Sequence, residues 1–578
     1  MASIIAALRR RPGASAAAAA PAVPAESARA LLLPLALAQL LASYNGSAMG
    51  VAISAIANDL HSTVTGVQAA ISFFTLTMAA LMITGSKLTD IWGRKNCFVA
   101  GIWLFGIGAI VAALAPGIAV MFVGFSLLQG LASALFIPPV YILLTVAFDD
   151  MTSRAKAFAV VSAMAGLGAA AGPLIGGTIT TTMSWRVSFA LEALVVVLIW
   201  WAARRGIHER PLTGPKPRLD LVGAALSGGG LAAIVVGILL ANTYGWITAR
   251  KDFDIAGKTV LSEGSVSPVW LFVGAGLLLV VWFAVHIWRR ERHGKEPLVH
   301  IRLFANRTSN LGLITQTSQW FIIQGGMFVV ALYLQVSLQY SAIKTGVLIT
   351  PMVGGMLLSS AVAGRMARRR SQRSIIRAGF VTAIVGIALL VLLVHPADGD
   401  WRLVPGLLCL GFGVGIMLTA SVNVVQSSVP EEKQGELSGV SRSASNLGSS
   451  LGVAIAGSVL VAALIAGATA RVNASAAFTP QQQQQFDAAL QHQTSALSDS
   501  QVQSALKGQP ASVASAAEQI YSDARNKAMG YGLISVGGVA VLGLLAALGL
   551  PATRSPETAS TGDPAHAPNR KRRRSRTK

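Results

Sequence analysis

Apolar runs of about 20 residues, separated by short polar loops, recur along the whole chain. A helix rises about 1.5 Å per residue, so a run of this length crosses the ~30 Å hydrocarbon core of a bilayer. We therefore predict an all-α polytopic membrane protein with 14 transmembrane helices. The predicted spans cover residues 31–57, 68–88, 97–115, 119–141, 157–180, 186–203, 219–240, 268–289, 309–334, 345–366, 375–394, 401–424, 437–465 and 528–550.

The composition excludes the main soluble alternatives. Only 12% of the residues are charged, against about 25% in soluble domains. The net charge of +22 lies in short loops and in the tail 570–576, which favours contact with anionic lipid over nucleic acid. Cys97 and Cys409 give neither a disulfide framework nor the spacing of a metal site.

The loop charges predict the orientation. With the N-terminus in the cytoplasm, 36 of the 46 lysines and arginines fall on the cytoplasmic side. This is the positive-inside pattern, and it requires an even number of spans. We expect a multi-pass protein of the cell inner (cytoplasmic) membrane with both termini cytoplasmic.

An internal repeat relates the two ends of the chain. GLGAAAGPLIGG at 166–177 matches NLGSSLGVAIAG at 446–457, and the same offset of 280 residues places 65–67 (TGV) on 345–347 (TGV). Two parallel six-helix halves follow, an architecture in which the substrate site lies between the halves. The predicted regions are a disordered cytoplasmic N-tail 1–30, the first half 31–203, two linker spans 204–308, the second half 309–550 with an external Gln-rich loop 466–527, and a basic cytoplasmic tail 551–578.

Two stretches carry recognisable local chemistry. GSKLTDIWGRKN at 85–96 places Asp90, Gly93 and Arg94 at a helix end, where the charges can pair and glycine permits a tight turn. In span 5, glycines recur at spacings near four and leave a face on which another helix can pack closely, while the proline removes a backbone donor. The residues concerned are Gly168, Gly172, Pro173, Gly176 and Gly177.

From about 31 to 550 the chain resembles the major facilitator superfamily, and within it the 14-span drug:proton antiporter (multidrug efflux) group. The two stretches above carry the resemblance, together with Trp185-Arg186 and 218–220 (RLD), although Ser86 replaces the usual first glycine of the loop motif. The resemblance implies that Asp90, Gly93 and Arg94 form a conformational latch. It also implies that the span 5 motif seals one side of the transporter and favours export.

Two residues depart from the family pattern. In SYNGSAMG at 43–50, Asn45 stands where the group usually has an acid, and Ser126 stands where it usually has an arginine. Both family residues are linked to proton coupling. Glu192 is then the acid that remains well inside a span, and an ionisable residue at that depth is a functional candidate by default. The alternative is a glutamate that reaches outward or pairs with Arg186.

Polar side chains inside the spans are candidates for the substrate cavity. A surface of amides and an aromatic ring suits varied amphipathic compounds, whereas hydrogen bonding between helices is the alternative for each residue. The candidates are Asn45, Gln129, Gln316, Gln319, Trp320 and Asn423.

The sequence thus predicts a secondary active transporter that exports amphipathic or drug-like small molecules by proton antiport with alternating access. A weakly or non-proton-coupled metabolite exporter or uniporter is the alternative, and a non-transporting membrane receptor is a third. We expect no enzyme activity and no cofactor, with the proton gradient as the energy source. The expected partners are a small-molecule substrate and the lipid bilayer, not nucleic acid; a monomeric state and a periplasmic adaptor are left open.

Overall fold

The computed structural model describes residues 25–62, 64–148, 151–207, 218–255, 258–338, 340–393, 400–429, 434–475, 478–484 and 511–551. Most of the predicted N-tail, nearly all of the C-tail and much of the loop 466–527 lie outside these residues.

Within the described residues the chain forms a bundle of long helices that follow one another in antiparallel order. Their bounds are α1 Ala25–Asp59, α2 Val64–Trp92, α3 Arg94–Ala113, α4 Ile118–Ala147, α5 151–182, α6 Trp185–Gly206, α7 Leu221–Tyr244, α8 Pro268–Arg292, α9 Arg307–Leu332, α10 Ala342–Arg369, α11 Gln372–Leu393, α12 Leu403–Gln426, α13 Gln434–Ala474 and α14 Ala511–Leu548. The fold prediction, an all-α membrane bundle, is confirmed.

Thirteen of these helices are long and apolar enough to cross a membrane. α10 has a shorter described apolar segment, Ile343–Ser359. Its 28 residues are nevertheless longer than the ~20 needed to span. All 14 described helices are therefore long enough to span a membrane, and 13 of them are also apolar enough.

Several segments depart from regular α-helix. π-helical turns occupy Phe122–Gln129 in α4, Gly172–Gly176 in α5 and Tyr333–Ser337 after α9. The turn in α5 contains Pro173, which has no N–H to donate to the preceding turn. Short 3-10 helices precede α9 (Ile301–Ala305) and α12 (Asp400–Arg402).

The loop between α7 and α8 carries an antiparallel hairpin that the sequence did not predict. Its strands are β1 Phe253–Ile255 and β2 Lys258–Leu261. We call the end of the bundle that bears this loop the hairpin face. The opposite end, where α2, α6 and α8 finish and α13 begins, is called the basic face.

α13 and α14 are longer than the spans predicted for them. Both continue beyond the apolar segments on the hairpin face, where Val472 and Phe478 pack against Val513 and Ala517. Arg471 also forms an ion pair with Asp523 at 3.1 Å. Part of the predicted external loop is therefore a helical extension of the bundle.

Each half of the bundle has its own apolar core. Phe98, Phe136 and Ile199 belong to a core of α1–α6, and Phe321 and Phe380 belong to a core of α9–α14. This separation is the packing expected of two halves that move relative to each other.

The main contacts between the halves are made by two helix pairs, α2 with α13 and α5 with α10. Gly439 of α13 packs against Ser86 of α2, and Gly346 of α10 packs against Pro173 of α5. The 280-residue offset relates α2 to α10 and α5 to α13, so the two junctions are equivalent positions of one repeat. The contacts thus follow the symmetry predicted from the sequence.

The glycines of the repeat pack inside each half. A Cβ added at Gly168 would lie 2.2 Å from the backbone oxygen of Leu40 in α1. In the second half, a Cβ at Gly448 would lie 2.3 Å from the backbone oxygen of Thr317 in α9. The side-chain-free face of α5 therefore holds α1, and α13 holds α9 in the same way.

We expect Gly168→Ala to lower the thermal unfolding temperature of the detergent-purified protein, because the added methyl meets helix backbone that cannot rotate away. Overpacking of this kind costs about 1–3 kcal/mol. Gly166→Ala is the matched control, since the nearest atom to its added Cβ is Met356 Cε at 4.0 Å. Helix propensity favours both alanines by up to ~1 kcal/mol, so equal stability of the two variants would contradict close α1–α5 packing.

Candidate functional site

A buried polar chain crosses the first half from α1 through α4 to α6. Asn45 Nδ2 donates to Gln129 Oε1 at 2.9 Å, and Gln129 Nε2 donates to Glu192 Oε2 at 3.0 Å. Asn45 and Gln129 are 0% exposed and Glu192 is 3% exposed. The structure thus brings three separately predicted residues into one network, which we call the buried polar chain.

Local backbone features position Gln129. It is the last residue of the π-helical turn in α4, and Gly108 of α3 lies against it: an added Cβ there would be 2.8 Å from Gln129 Cγ. Any larger residue at 108 would displace the amide. Gly108 is a positioning residue that the sequence analysis did not single out.

Glu192 is not neutralised by Arg186, the partner considered from the sequence. Arg186 binds Asp59 at 2.8 Å and two backbone carbonyls at and just after the end of α3, those of Ala113 and Ala115. One turn away from Glu192, Tyr44 Oη and Ser188 Oγ share a hydrogen bond of 2.5 Å. The described hydrogen bond of the Glu192 carboxyl is therefore with an amide.

Ser126, at the position of the family arginine, closes α4 onto α2. It is 2% exposed, and its hydroxyl donates to the backbone oxygen of Ala70 at 2.7 Å. A serine here needs no charged partner, which fits the replacement of the family acid by Asn45.

The candidates of the second half lie among neighbouring helices. Gln316 accepts a hydrogen bond from Ser441 of α13, and Gln319 donates to the backbone oxygen of Val414 in α12 at 3.1 Å. Trp320 packs at the edge of the second-half core, and Asn423 is half-buried on α12. For the two glutamines this is the interhelical bonding considered as the alternative to a substrate contact.

A cluster of charges joins the halves at the basic face. Lys87 Nζ lies 3.2 Å from Glu436 Oε1, and both side chains are under 10% exposed, at 7% and 5%. His300 lies in the segment between α8 and α9. Its backbone N–H donates to Glu436 Oε2 at 3.0 Å, and its Nδ1 lies 2.9 Å from the same Oε2. We call Lys87, Glu436 and His300 the basic-face latch.

The predicted latch residues lie beside this cluster. The carboxylate of Asp90 interacts electrostatically with Lys87, Glu436 and Arg94. Gly93 has φ 93° between α2 and α3, a backbone conformation that other residues adopt with strain. The latch role of Asp90, Gly93 and Arg94 stays a prediction, and the ion pair that bridges the halves is formed by Lys87.

The linker spans reach the latch through an apolar cluster. Ile83 of α2 packs with Leu226 of α7, Ile287 of α8 and Leu298 of the following segment. Val440 of α13 contacts the same cluster. The Lys87–Glu436 ion pair beside this cluster could not be predicted from the sequence, because the two residues are 349 positions apart.

A second contact closes the halves near this face. The Arg442 guanidinium of α13 lies 3.8 Å above the ring of Tyr141 in α4, a cation–π geometry. The described contacts therefore hold the two halves together at the basic face.

Comparison with known proteins agrees with this architecture. The sequence profile of the Major Facilitator Superfamily matches residues 35–256 and 221–453. The chain belongs to the major facilitator superfamily. It is a multi-pass membrane transporter rather than an enzyme.

Relatives of this major facilitator protein include proteins named for drug resistance. It is 30% identical to a puromycin resistance protein of Streptomyces alboniger over 438 residues, covering 75% of this chain and 82% of that one. It is 27% identical to a multidrug resistance protein of Mycobacterium tuberculosis (strain CDC 1551 / Oshkosh) over 405 residues, covering 69% and 70%. The crystal structure of a human organic anion transporter shares the fold, with a TM-score of 0.52 and 12% sequence identity. The match covers 90% of this chain and 99% of that one.

Proposed function

We propose that this transporter exports amphipathic, drug-like small molecules across the cytoplasmic membrane by alternating access, in exchange for entering protons. The names of its relatives, which include puromycin resistance and multidrug resistance, support export of organic compounds. The basic face is the cytoplasmic face in this proposal, because most of the lysines and arginines lie there.

The buried Glu192 carries the proton part of the proposal. A carboxyl group inside a membrane span is energetically costly, so its presence there points to a function. Its described partner is the Gln129 amide, which can donate to an ionised carboxylate or accept from a protonated one. Glu192 can therefore hold a proton or release it without losing its hydrogen bond.

The inter-half contacts support the alternating-access part. Lys87–Glu436 and Arg442–Tyr141 join the halves at the basic face, so these contacts must part when the halves separate there. A group of charges that forms and breaks between two arrangements is the kind of two-state element that switching requires.

A weakly coupled or uncoupled exporter is the second candidate. Asn45 and Ser126 replace the acid and the base that the antiporter group usually has, and both are buried in hydrogen bonds that carry no charge. If Glu192 does not exchange protons, transport would run on the substrate gradient.

The experiment compares accumulation of puromycin and a panel of amphipathic cations in cells that express the protein and in cells that lack it. Expression should lower accumulation, and a protonophore should remove the difference. An accumulation difference that survives the protonophore would favour the uncoupled exporter. No difference for any compound would overturn export and favour a non-transporting receptor.

A further inference from the structure

The hydrogen bonds of the buried polar chain all point in one direction. Asn45 donates to Gln129, and Gln129 donates to Glu192. This polarity matches an ionised Glu192, which can only accept hydrogen bonds. It leaves Asn45 Oδ1 buried and without a hydrogen-bond partner among the described residues.

Protonation of Glu192 reverses this polarity. The neutral acid keeps a carbonyl oxygen that accepts, but it gains an O–H that needs an acceptor, and its described partner is the Gln129 amide. When this O–H donates to Gln129 Oε1, the Gln129 amide turns its oxygen toward α6 and its N–H₂ toward α1. Asn45 must then turn as well, since two facing N–H₂ groups cannot bond. Amide oxygen and nitrogen have nearly the same size, so both rotations fit the existing packing.

The group that Asn45 presents on its far side is therefore opposite in the two states. With Glu192 ionised it presents a carbonyl oxygen, and with Glu192 protonated it presents an N–H₂ group. An unpartnered buried acceptor is destabilising, so the oxygen has a strong preference for a donor.

Open space lies next to Asn45 on α1. Gly46 and Gly50 are exposed, and a Cβ added at either would meet no atom within 4 Å. Two exposed positions of α1 near Asn45 therefore carry no side chain. Asn45 itself is 0% exposed, so a compound held against this stretch reaches the Asn45 oxygen only when the packing around it opens.

We propose that Asn45 and Gln129 relay the protonation state of Glu192 to the substrate, so that a proton and a hydrogen-bond-donating group of the exported compound exclude each other. A hydroxyl or ammonium group binds Asn45 Oδ1 when Glu192 is ionised; protonation replaces that oxygen with N–H₂ and expels the donor. Mutual exclusion of two ligands is the linkage that antiport needs. This inference rests on the proposed function.

Other titratable or charged groups near Glu192 have partners of their own. From α1, Tyr44 faces α6 and shares a hydrogen bond with Ser188, and Arg186 of α6 is bound to Asp59. From α3, the residue that packs on α6 one turn from Glu192 is Gly106, which lies against Val196 and carries no titratable group. From α4, the group that contacts the carboxyl is the Gln129 amide.

Infrared difference spectra between acid and alkaline pH test the relay without a substrate. With isotope-labelled side-chain carbonyls of asparagine and glutamine, the wild type should show a protonated carboxyl band together with shifted amide bands. Gln129→Met should keep the carboxyl band and lose the amide shifts, and Asn45→Leu should lose the asparagine shift. Gln39→Met removes another buried amide, bound to Tyr141, and should keep every change.

The outcomes separate the relay from the proton role of Glu192. A carboxyl band that disappears in Glu192→Gln but is never accompanied by amide shifts overturns the relay and leaves Glu192 as the proton carrier. A carboxyl band whose intensity is unchanged in Glu192→Gln overturns the proton role and the relay together. Export itself is judged separately by the accumulation assay.

Binding of puromycin, which carries hydroxyl and amine donors, tests the exclusion step. Its affinity for the purified protein should fall on acidification by about 5–150-fold, the usual range of coupling between two sites. Asn45→Leu should remove the pH dependence. Wild-type puromycin binding that is absent, or that is the same at both pH values, overturns the exclusion step.

Discussion

Glu192→Gln is expected to abolish transport driven by a pH gradient and to leave the protein folded. Glutamine keeps the shape of the side chain and can still bond Gln129, but it cannot take up or release a proton. In proteoliposomes with an imposed pH gradient, uphill substrate movement and substrate-induced proton flux should both fall to the level without a gradient. Substrate movement down its own concentration gradient should remain.

Asp59→Asn is the matched control for Glu192→Gln. It also removes one carboxylate from the first half, but Asp59 is about half exposed at the hairpin face and binds Arg186. It should keep gradient-driven transport. Gradient-driven rates that are unchanged in Glu192→Gln would contradict its role as proton carrier, whereas loss of transport in both variants would indicate a general effect of charge removal.

The fold could be predicted because each of its causes is local in the sequence. Apolar run length determines where helices cross, loop charge predicts their orientation, and the glycines of 166–177 and 446–457 mark two equivalent helices. Those glycines pack on α1 and α9 at the same relative positions. The lengths of the helices were less predictable. α13 and α14 continue past their apolar segments, where contacts such as Arg471–Asp523 stabilise the extensions.

The individual residues of the candidate site could be predicted, but the contacts between them could not. Asn45, Gln129 and Glu192 each stood out as polar groups in apolar runs, yet their joining depends on the rotation of three helices about their axes. Gln316 and Gln319 share a face by spacing, but the sequence does not say that α12 and α13 cover that face. Lys87 was not singled out from the sequence, because its partner Glu436 comes from the other half, 349 residues away.

Lys87→Gln is expected to open the basic face. The variant leaves Glu436 buried without its lysine, and removal of one member of a buried ion pair costs about 3–5 kcal/mol. That cost falls on the conformation in which the halves meet, so the equilibrium should shift toward the open state by roughly a hundredfold or more, at ~1.4 kcal/mol per factor of ten. Spin labels at positions 96 and 427, exposed at this face on opposite halves, should report a longer distance.

Lys95→Gln removes the same charge from the neighbouring helix α3 and serves as the control. Lys95 donates to the backbone oxygen of Ile207 at 2.6 Å, a contact within the first half, so its loss should leave the label distance unchanged. Exchange of the charges, Lys87→Glu with Glu436→Lys, should restore the short distance in part, because His300 then faces a lysine. Equal label distances in Lys87→Gln and in the wild type would show that apolar contacts such as Ile83 with Val440, rather than the ion pair, hold the halves together at this face.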